Sequence, residues 1–132
     1  MELISFKTST YFTSDSTGGI MEKTTILLHS DSLGRGSDEL GKTLIGSFLR
    51  KLWASETKPD TIIFYNSAVH LLTDTSLVLD ALSGLSKAGV DLVACKTCIG
   101  YYDIEENLVV GRLSDMQDIV SIIMKSDTVI TP

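Results

Sequence analysis

Three short apolar runs constrain this chain more than any other feature: Thr25–His29 (TILLH), Thr61–Tyr65 (TIIFY) and Asp91–Ala94 (DLVA). Strands that are apolar without alternation are buried on both faces, and such strands usually pair in parallel under helices. The segments between them carry helical periodicity. After the polar, Gly-rich turn DSLGRGS, Ser37 is placed to cap a helix, and Asp38 and Glu39 suit its positive end. Leu40, Leu44, Ile45, Phe48, Leu49 and Leu52 then repeat at helical spacing to about Trp53, and Lys58-Pro59-Asp60 stops the helix. A second helix is expected from a Thr75 or Ser76 cap to about Lys87, with Leu77, Leu79, Leu82 and Leu85 inward and Gly89 at its end. Residues 101–110 read as a short helix followed by a strand. Ser114 is placed to cap a last helix over Asp115–Lys125, and Thr128–Ile130 closes as a strand. Strands alternating with helices imply right-handed crossovers. The expected fold is therefore an α/β three-layer sandwich on a mostly parallel sheet of about five strands.

A length of 132 residues is that of one domain. Net charge is −6 with the basic residues scattered, which argues against nucleic acid or an anionic membrane as the partner. No apolar run approaches the length of a membrane span. Residues 1–20 are polar, rich in Ser and Thr, and end in Gly18-Gly19. They read as an N-terminal extension, either a tail or an edge strand through Ile4-Ser5-Phe6, ahead of a single domain over 21–132. With no secretory leader expected and two cysteines too close to staple much chain, a reducing, cytoplasmic setting and a chemical role for the thiols are expected.

In open parallel sheets, sites form beyond the carboxyl ends of the strands. The residues at those ends are Ser30-Asp31-Ser32, Asn66-Ser67 and Cys95-Lys96-Thr97-Cys98, which are expected to converge on one edge. Backbone N–H groups where Cys95 turns into a helix, with Lys96 beside it, would favour a thiolate, the species that attacks, accepts or donates sulfur. The bland alternative is that both cysteines are small, inert core residues.

Three other readings compete with this one. Gly36-Ser-Asp-Glu-Leu-Gly41-Lys42-Thr43 matches the letters of a phosphate-binding P-loop. However, Asp38 and Glu39 would put carboxylates into a phosphate cradle, and six residues separate the strand from Gly36. A thioredoxin-like dithiol would carry its CxxC after an early strand opposite a proline loop, whereas here the pair comes late and the prolines are Pro59 and Pro132. Cys95, Cys98, His29 and His70 nominally suffice for zinc, but no second CxxC or HxxxH knuckle accompanies them. No metal and no cofactor is expected.

The segments SDSLGRGSDELGKTLIGSFL (30–49), PDTIIFYNSAVHLL (59–72), KAGVDLVACKTCIGYY (87–102) and VGRLSDMQDIV (110–120) resemble the DsrE-like domain of YedF-type proteins, within the DsrE/DsrF-like family. That resemblance spans roughly Thr24 to Pro132. It implies an α/β/α fold assembled as a homo-oligomer (trimer or hexamer), a sulfurtransferase-like role associated with selenium metabolism, and a carrier persulfide on the residue matching Cys95. Cys98 matches the family's second cysteine. Lys96 stands where a Gly is usual, and the first 20 residues are far too short for the TusA-like domain that usually precedes this one. A TusA-like or other sulfur carrier would then be a separate partner. The leading expectation is a sulfur or selenium relay protein loaded on Cys95, with Cys98 as second thiol. Asp31, Ser32, Asn66, Ser67, Lys96 and Thr97 are the expected pocket residues. A non-catalytic oligomeric binding module and a dithiol redox protein are the alternatives. Val69, Leu71, Leu72, Tyr101 and Tyr102 are the candidate interface residues.

Overall fold

In a computed structural model, the structure describes residues 2–5 and 22–132. The remainder of the expected N-terminal extension lies outside the described residues. The order of elements is β1 (Glu2–Ser5), β2 (Thr24–Leu28), α1 (Asp38–Ala54), β3 (Thr61–Phe64), a 3-10 segment (Asn66–Leu72), α2 (Leu79–Lys87), β4 (Asp91–Cys95), α3 (Lys96–Tyr102), β5 (Arg112–Ser114), α4 (Met116–Lys125) and β6 (Thr128–Thr131). A short 3-10 turn, Glu105–Asn107, precedes β5. The sheet runs β1-β6-β2-β3-β4-β5. Strands β2 to β6 are parallel to their neighbours, and β1 pairs antiparallel with β6 at the edge. The fold is thus α/β with a mostly parallel sheet.

Alternation along the strands divides the core in two. Ile26, Leu28, Ile62, Phe64, Leu92 and Ala94 face α1, α2 and the 3-10 segment. Ile63, Val93 and Cys95 face Ile119 of α4 on the other side, with Leu27 and Tyr65 half-buried beside them. Every residue of β3 is buried, which is why its sequence is apolar without alternation. The strand starts are tied by side chains: the Asp60 carboxylate accepts from Thr24 N at 2.8 Å, and the Thr25 and Ser126 hydroxyls pair at 2.6 Å in the interior.

Helix α1 begins as expected, with the Ser37 hydroxyl accepting from Leu40 N at 3.1 Å. Its buried stripe differs from the expected one. Gly41, Ile45, Gly46 and Leu49 face inward, whereas Leu40 and Leu44 are exposed. Glycines carry no weight in an apolar count, yet here they let the helix lie close. A Cβ on Gly41 would strike the Ser32 hydroxyl. Likewise, a Cβ on Gly84 of α2 would meet the Trp53 indole, so the two helices touch through that glycine.

Helix α2 starts later than expected. The Ser76 hydroxyl accepts from Val78 N at 3.2 Å in a turn, Leu79 opens the helix, and Leu77 is left 88% exposed. Serine and threonine side chains bind nearby backbone in turns as readily as at helix caps, and sequence does not separate the two. At α4 the cap is Asp115, which accepts from Asp118 N at 2.9 Å, while Ser114 ends β5 and gives its hydroxyl to the Asp118 carboxylate. That bond, followed by Arg112, holds the Asp118 carboxyl below its ordinary value. The strand expected within 101–110 forms instead at Arg112–Ser114, after Gly111 takes a left-handed turn (φ 95°).

Candidate functional site

The thiol pair sits where β4 hands over to α3. Cys95 is the last residue of the strand and Cys98 the third of the helix, so the pair sits at the carboxyl end of the sheet. They are free and unequal. Cys95 is 2% exposed and packs in the α4-side core, whereas Cys98 is half-buried. The two side chains interact, and both approach the Tyr65 phenol, which is held above its ordinary value by burial and then by the two thiols.

Around Cys98 the polar contacts are specific. Asn66 donates its backbone N–H to Cys98 Sγ at 3.1 Å. Asn66 has φ 48°, a left-handed conformation that asparagine tolerates better than most residues. Tyr102 donates its hydroxyl to Asn66 Oδ1 at 2.6 Å. The Tyr102 ring rests in turn on the His70 imidazole, with centroids 4.4 Å apart. Burial pushes the Cys98 thiol above its ordinary value and the Cys95 contact pushes the same way, while the Asn66 N–H acts against both. At neutral pH Cys98 is therefore mainly a thiol, and its thiolate fraction grows through the alkaline range.

The strand ends do not form the single pocket expected of them; among the described residues, three hollows lie along that edge. One, of about 390 Å³, is lined by Asn66, Thr97, Cys98, Tyr101 and Tyr102. A second, of about 240 Å³, takes in Asp31, Lys42 and His70 above Ile45, Leu71 and Val78. The third, of about 320 Å³, lies between the ends of β2 and β6, where the strand order reverses, and takes in His29, Ser30, Ser32 and Arg35. Of the expected site residues, Cys98, Asn66 and Thr97 come together in the thiol hollow. Ser67 instead bridges loops, its hydroxyl accepting from Asp31 N at 3.1 Å. Asp31 and Ser32 belong to the other two hollows because Ser32 N folds back onto the Ser30 hydroxyl at 3.0 Å. Lys96 is exposed, and among the described residues its side chain makes no hydrogen bond or ion pair.

The other readings of the sequence find their places too. Gly41, Lys42 and Thr43 lie inside α1, past its first turn, so they do not form a phosphate cradle. His29 and His70 line different hollows, and among the described residues no three His, Cys, Asp or Glu side chains gather as a metal site would need. Val69, Leu71 and Leu72, expected at an interface, are core residues of the 3-10 segment, whereas Tyr101 is exposed beside the thiol hollow. No described helix is long and apolar enough to cross a membrane.

Tyr102 as a partner of the site was missed. Its signal was present: it follows Cys98 by four residues, the spacing that puts two side chains on one helix face.

A model of the DsrE/DsrF-like family matches residues 43–132 of the chain. Two solved structures share the fold. The ychN protein from E. coli is 19% identical with a TM-score of 0.64, the alignment covering 85% of this chain and 100% of that one. MTH1491 from Methanobacterium thermoautotrophicum, a protein of unknown function, is 22% identical with a TM-score of 0.64 at the same coverage. No curated protein matches the chain.

Proposed function

The chain belongs to the DsrE/DsrF-like family, which is associated with sulfur relay, and from that premise we propose that it carries sulfane sulfur as a persulfide on the Cys95–Cys98 pair. The observation that carries the reading is the pairing of a buried thiol with a half-exposed one that faces an open hollow and accepts a backbone N–H. In the proposed sequence, the Cys98 thiolate attacks the outer sulfur of a donor persulfide. The donor's S–S bond breaks, the donor leaves as a thiolate, and Cys98 holds the persulfide. Attack on the same outer sulfur by the Cys95 thiolate then moves it to Cys95 and returns Cys98 to the thiol. No net oxidation occurs, because the sulfane sulfur changes hands with its oxidation state intact. Selenium in the same role would follow the same displacement. The donor and acceptor are proposed to be separate proteins, a TusA-like carrier among them, meeting the chain at the exposed Tyr101 edge in the cytoplasm.

The test is to incubate the reduced protein with a persulfide donor, alkylate it, and map the added sulfur by peptide mass spectrometry. One additional sulfur is expected, on Cys95 at equilibrium; no added sulfur on either cysteine rejects the reading. The contact between the two thiols favours a dithiol redox protein as the second reading. Mild oxidation that closed a reversible Cys95–Cys98 disulfide, with no sulfur uptake, would favour it instead.

Self-assembly is proposed as part of the same reading. Met116, Val120 and Met124 form an exposed apolar stripe on α4, the one described helix on its side of the sheet. A second copy of the chain is the proposed occupant, since Leu27 and Tyr65 on that side are also only half covered. Val120→Glu is expected to lower the assembly's mass by size-exclusion with light scattering; an unchanged mass rejects α4 as the contact.

A further inference from the structure

We propose that Tyr102 is a positioning residue that latches α3 onto Asn66, so that the Cys98 sulfur on the same helix stays against the Asn66 backbone N–H. This deepens the sulfur-carrier reading and rests on Cys98 being its receiving thiol.

The inference starts from what is unusual in the backbone. Asn66 (φ 48°) and Asp103 (φ 56°) are the described non-glycine residues with positive φ. Asp103 ends α3, where that conformation is common. Asn66 opens the 3-10 segment directly after β3 and has no helix end to account for it. A residue held in that region needs surroundings that over-determine it, and such residues cluster at working sites. What does so here is visible on both sides. Upstream, Tyr65 N donates to Leu28 O at 2.8 Å, fixing the end of β3. On the side chain, the Tyr102 hydroxyl holds Asn66 Oδ1 at 2.6 Å, and the Tyr102 ring is itself braced by His70.

The consequence falls on one bond. The direction of the Asn66 N–H is set by the extended Tyr65 before it (ψ 159°), and it meets Cys98 Sγ, which shares α3 with Tyr102, at 3.1 Å. A hydrogen bond to the charged form favours that form, so this N–H supports the thiolate against the burial that opposes it. It would serve a Cys98 persulfide anion in the same way. Because Tyr102 acts through Asn66 and not on the sulfur, removing its hydroxyl should matter only while residue 66 carries the Oδ1 that receives it. Glycine lacks that oxygen and takes the left-handed conformation without a steric cost.

The experiment measures site-resolved alkylation of Cys98 with iodoacetamide against pH, reading the midpoint and the rate at pH 7 for three variants. The other titratable groups near the sulfur are Cys95, Tyr65, Tyr101 and Tyr102, with His70 behind Tyr102. Tyr102→Phe, which keeps the ring, is expected to raise the midpoint and slow alkylation at pH 7 several-fold, up to roughly tenfold for a shift of one pH unit. Asn66→Gly, which keeps the backbone N–H but removes the Oδ1 that Tyr102 holds, should raise the midpoint to a similar extent. The double variant Tyr102→Phe/Asn66→Gly should shift no further than either single variant. An unmoved midpoint in Tyr102→Phe, or a double variant shifted by the sum of the two single effects, overturns the proposal. Neither outcome depends on sulfur uptake, so failure here is distinct from failure to form a persulfide, which is read with a donor and by added mass.

Discussion

Cys98→Ser is expected to lose sulfur loading of Cys95 by about 100-fold or more, the order of effect seen when a reaction loses its nucleophile. The reason is access. Cys95 is 2% exposed and enclosed by Ile63, Val93 and Ile119, so a protein-borne persulfide has no direct line to it. Cys98 opens on a hollow of about 390 Å³ with Thr97 and the two tyrosines around it. Serine preserves the size and the hydrogen-bonding capacity of the side chain but cannot take up sulfur. The complementary variant, Cys95→Ser, should still load, with the added sulfur stranded on Cys98. Mapping both variants after exposure to the same donor gives a direct contrast. Undiminished loading of Cys95 in Cys98→Ser would show that sulfur reaches the buried thiol by another route. The pH dependence has a definite sign. Burial, followed by Cys95, raises the Cys98 thiol, so loading should climb as pH rises from neutral and the thiolate forms.

Phe64→Ala should produce the second large effect, a loss of about 3–5 kcal/mol of stability. Phe64 is fully buried in β3, and its lateral neighbours are Leu28 of β2 and the small Ala94 of β4. Ala94 offers no bulk to collapse into the void, and the helices above are held by their own contacts, so most of the cavity should persist. In a chain of this size that loss corresponds to a drop in melting temperature of roughly 10–20 °C. Thermal unfolding followed by circular dichroism checks it, and a drop of only a few degrees would mean that the core closes over the gap. Phe64 also lies two residues before Asn66, so a loosened β3 end should disturb the N–H bond to Cys98. Cys98 alkylation measured below the new melting point would register that disturbance.

The parallel strands and their order along the chain were legible because an uninterrupted apolar run has one economical home, inside a sheet covered on both faces. The thiols could be placed at a strand end for the same reason. The weaker expectations failed where a residue's behaviour depends on what lies across from it. Leu40, Leu44 and Leu77 have the spacing of core residues but lie outside, since Gly41 and Gly46 take the close contact in α1 and a serine turn delays α2. Val69, Leu71 and Leu72 looked available for a partner and instead fill the core beneath the 3-10 segment.

What the sequence determined by itself is therefore the layered α/β frame and the placing of Cys95 and Cys98 at the carboxyl end of β4, both of which follow from local pattern. Only the tertiary structure decided that Cys95 is buried while Cys98 opens on a hollow, that Asp31 and Ser32 belong to other hollows, and that Tyr102 and Asn66 converge on Cys98. Burial and left-handed backbone are set by contacts between segments far apart in the chain, such as the 3-10 segment and α3. No local periodicity records those contacts.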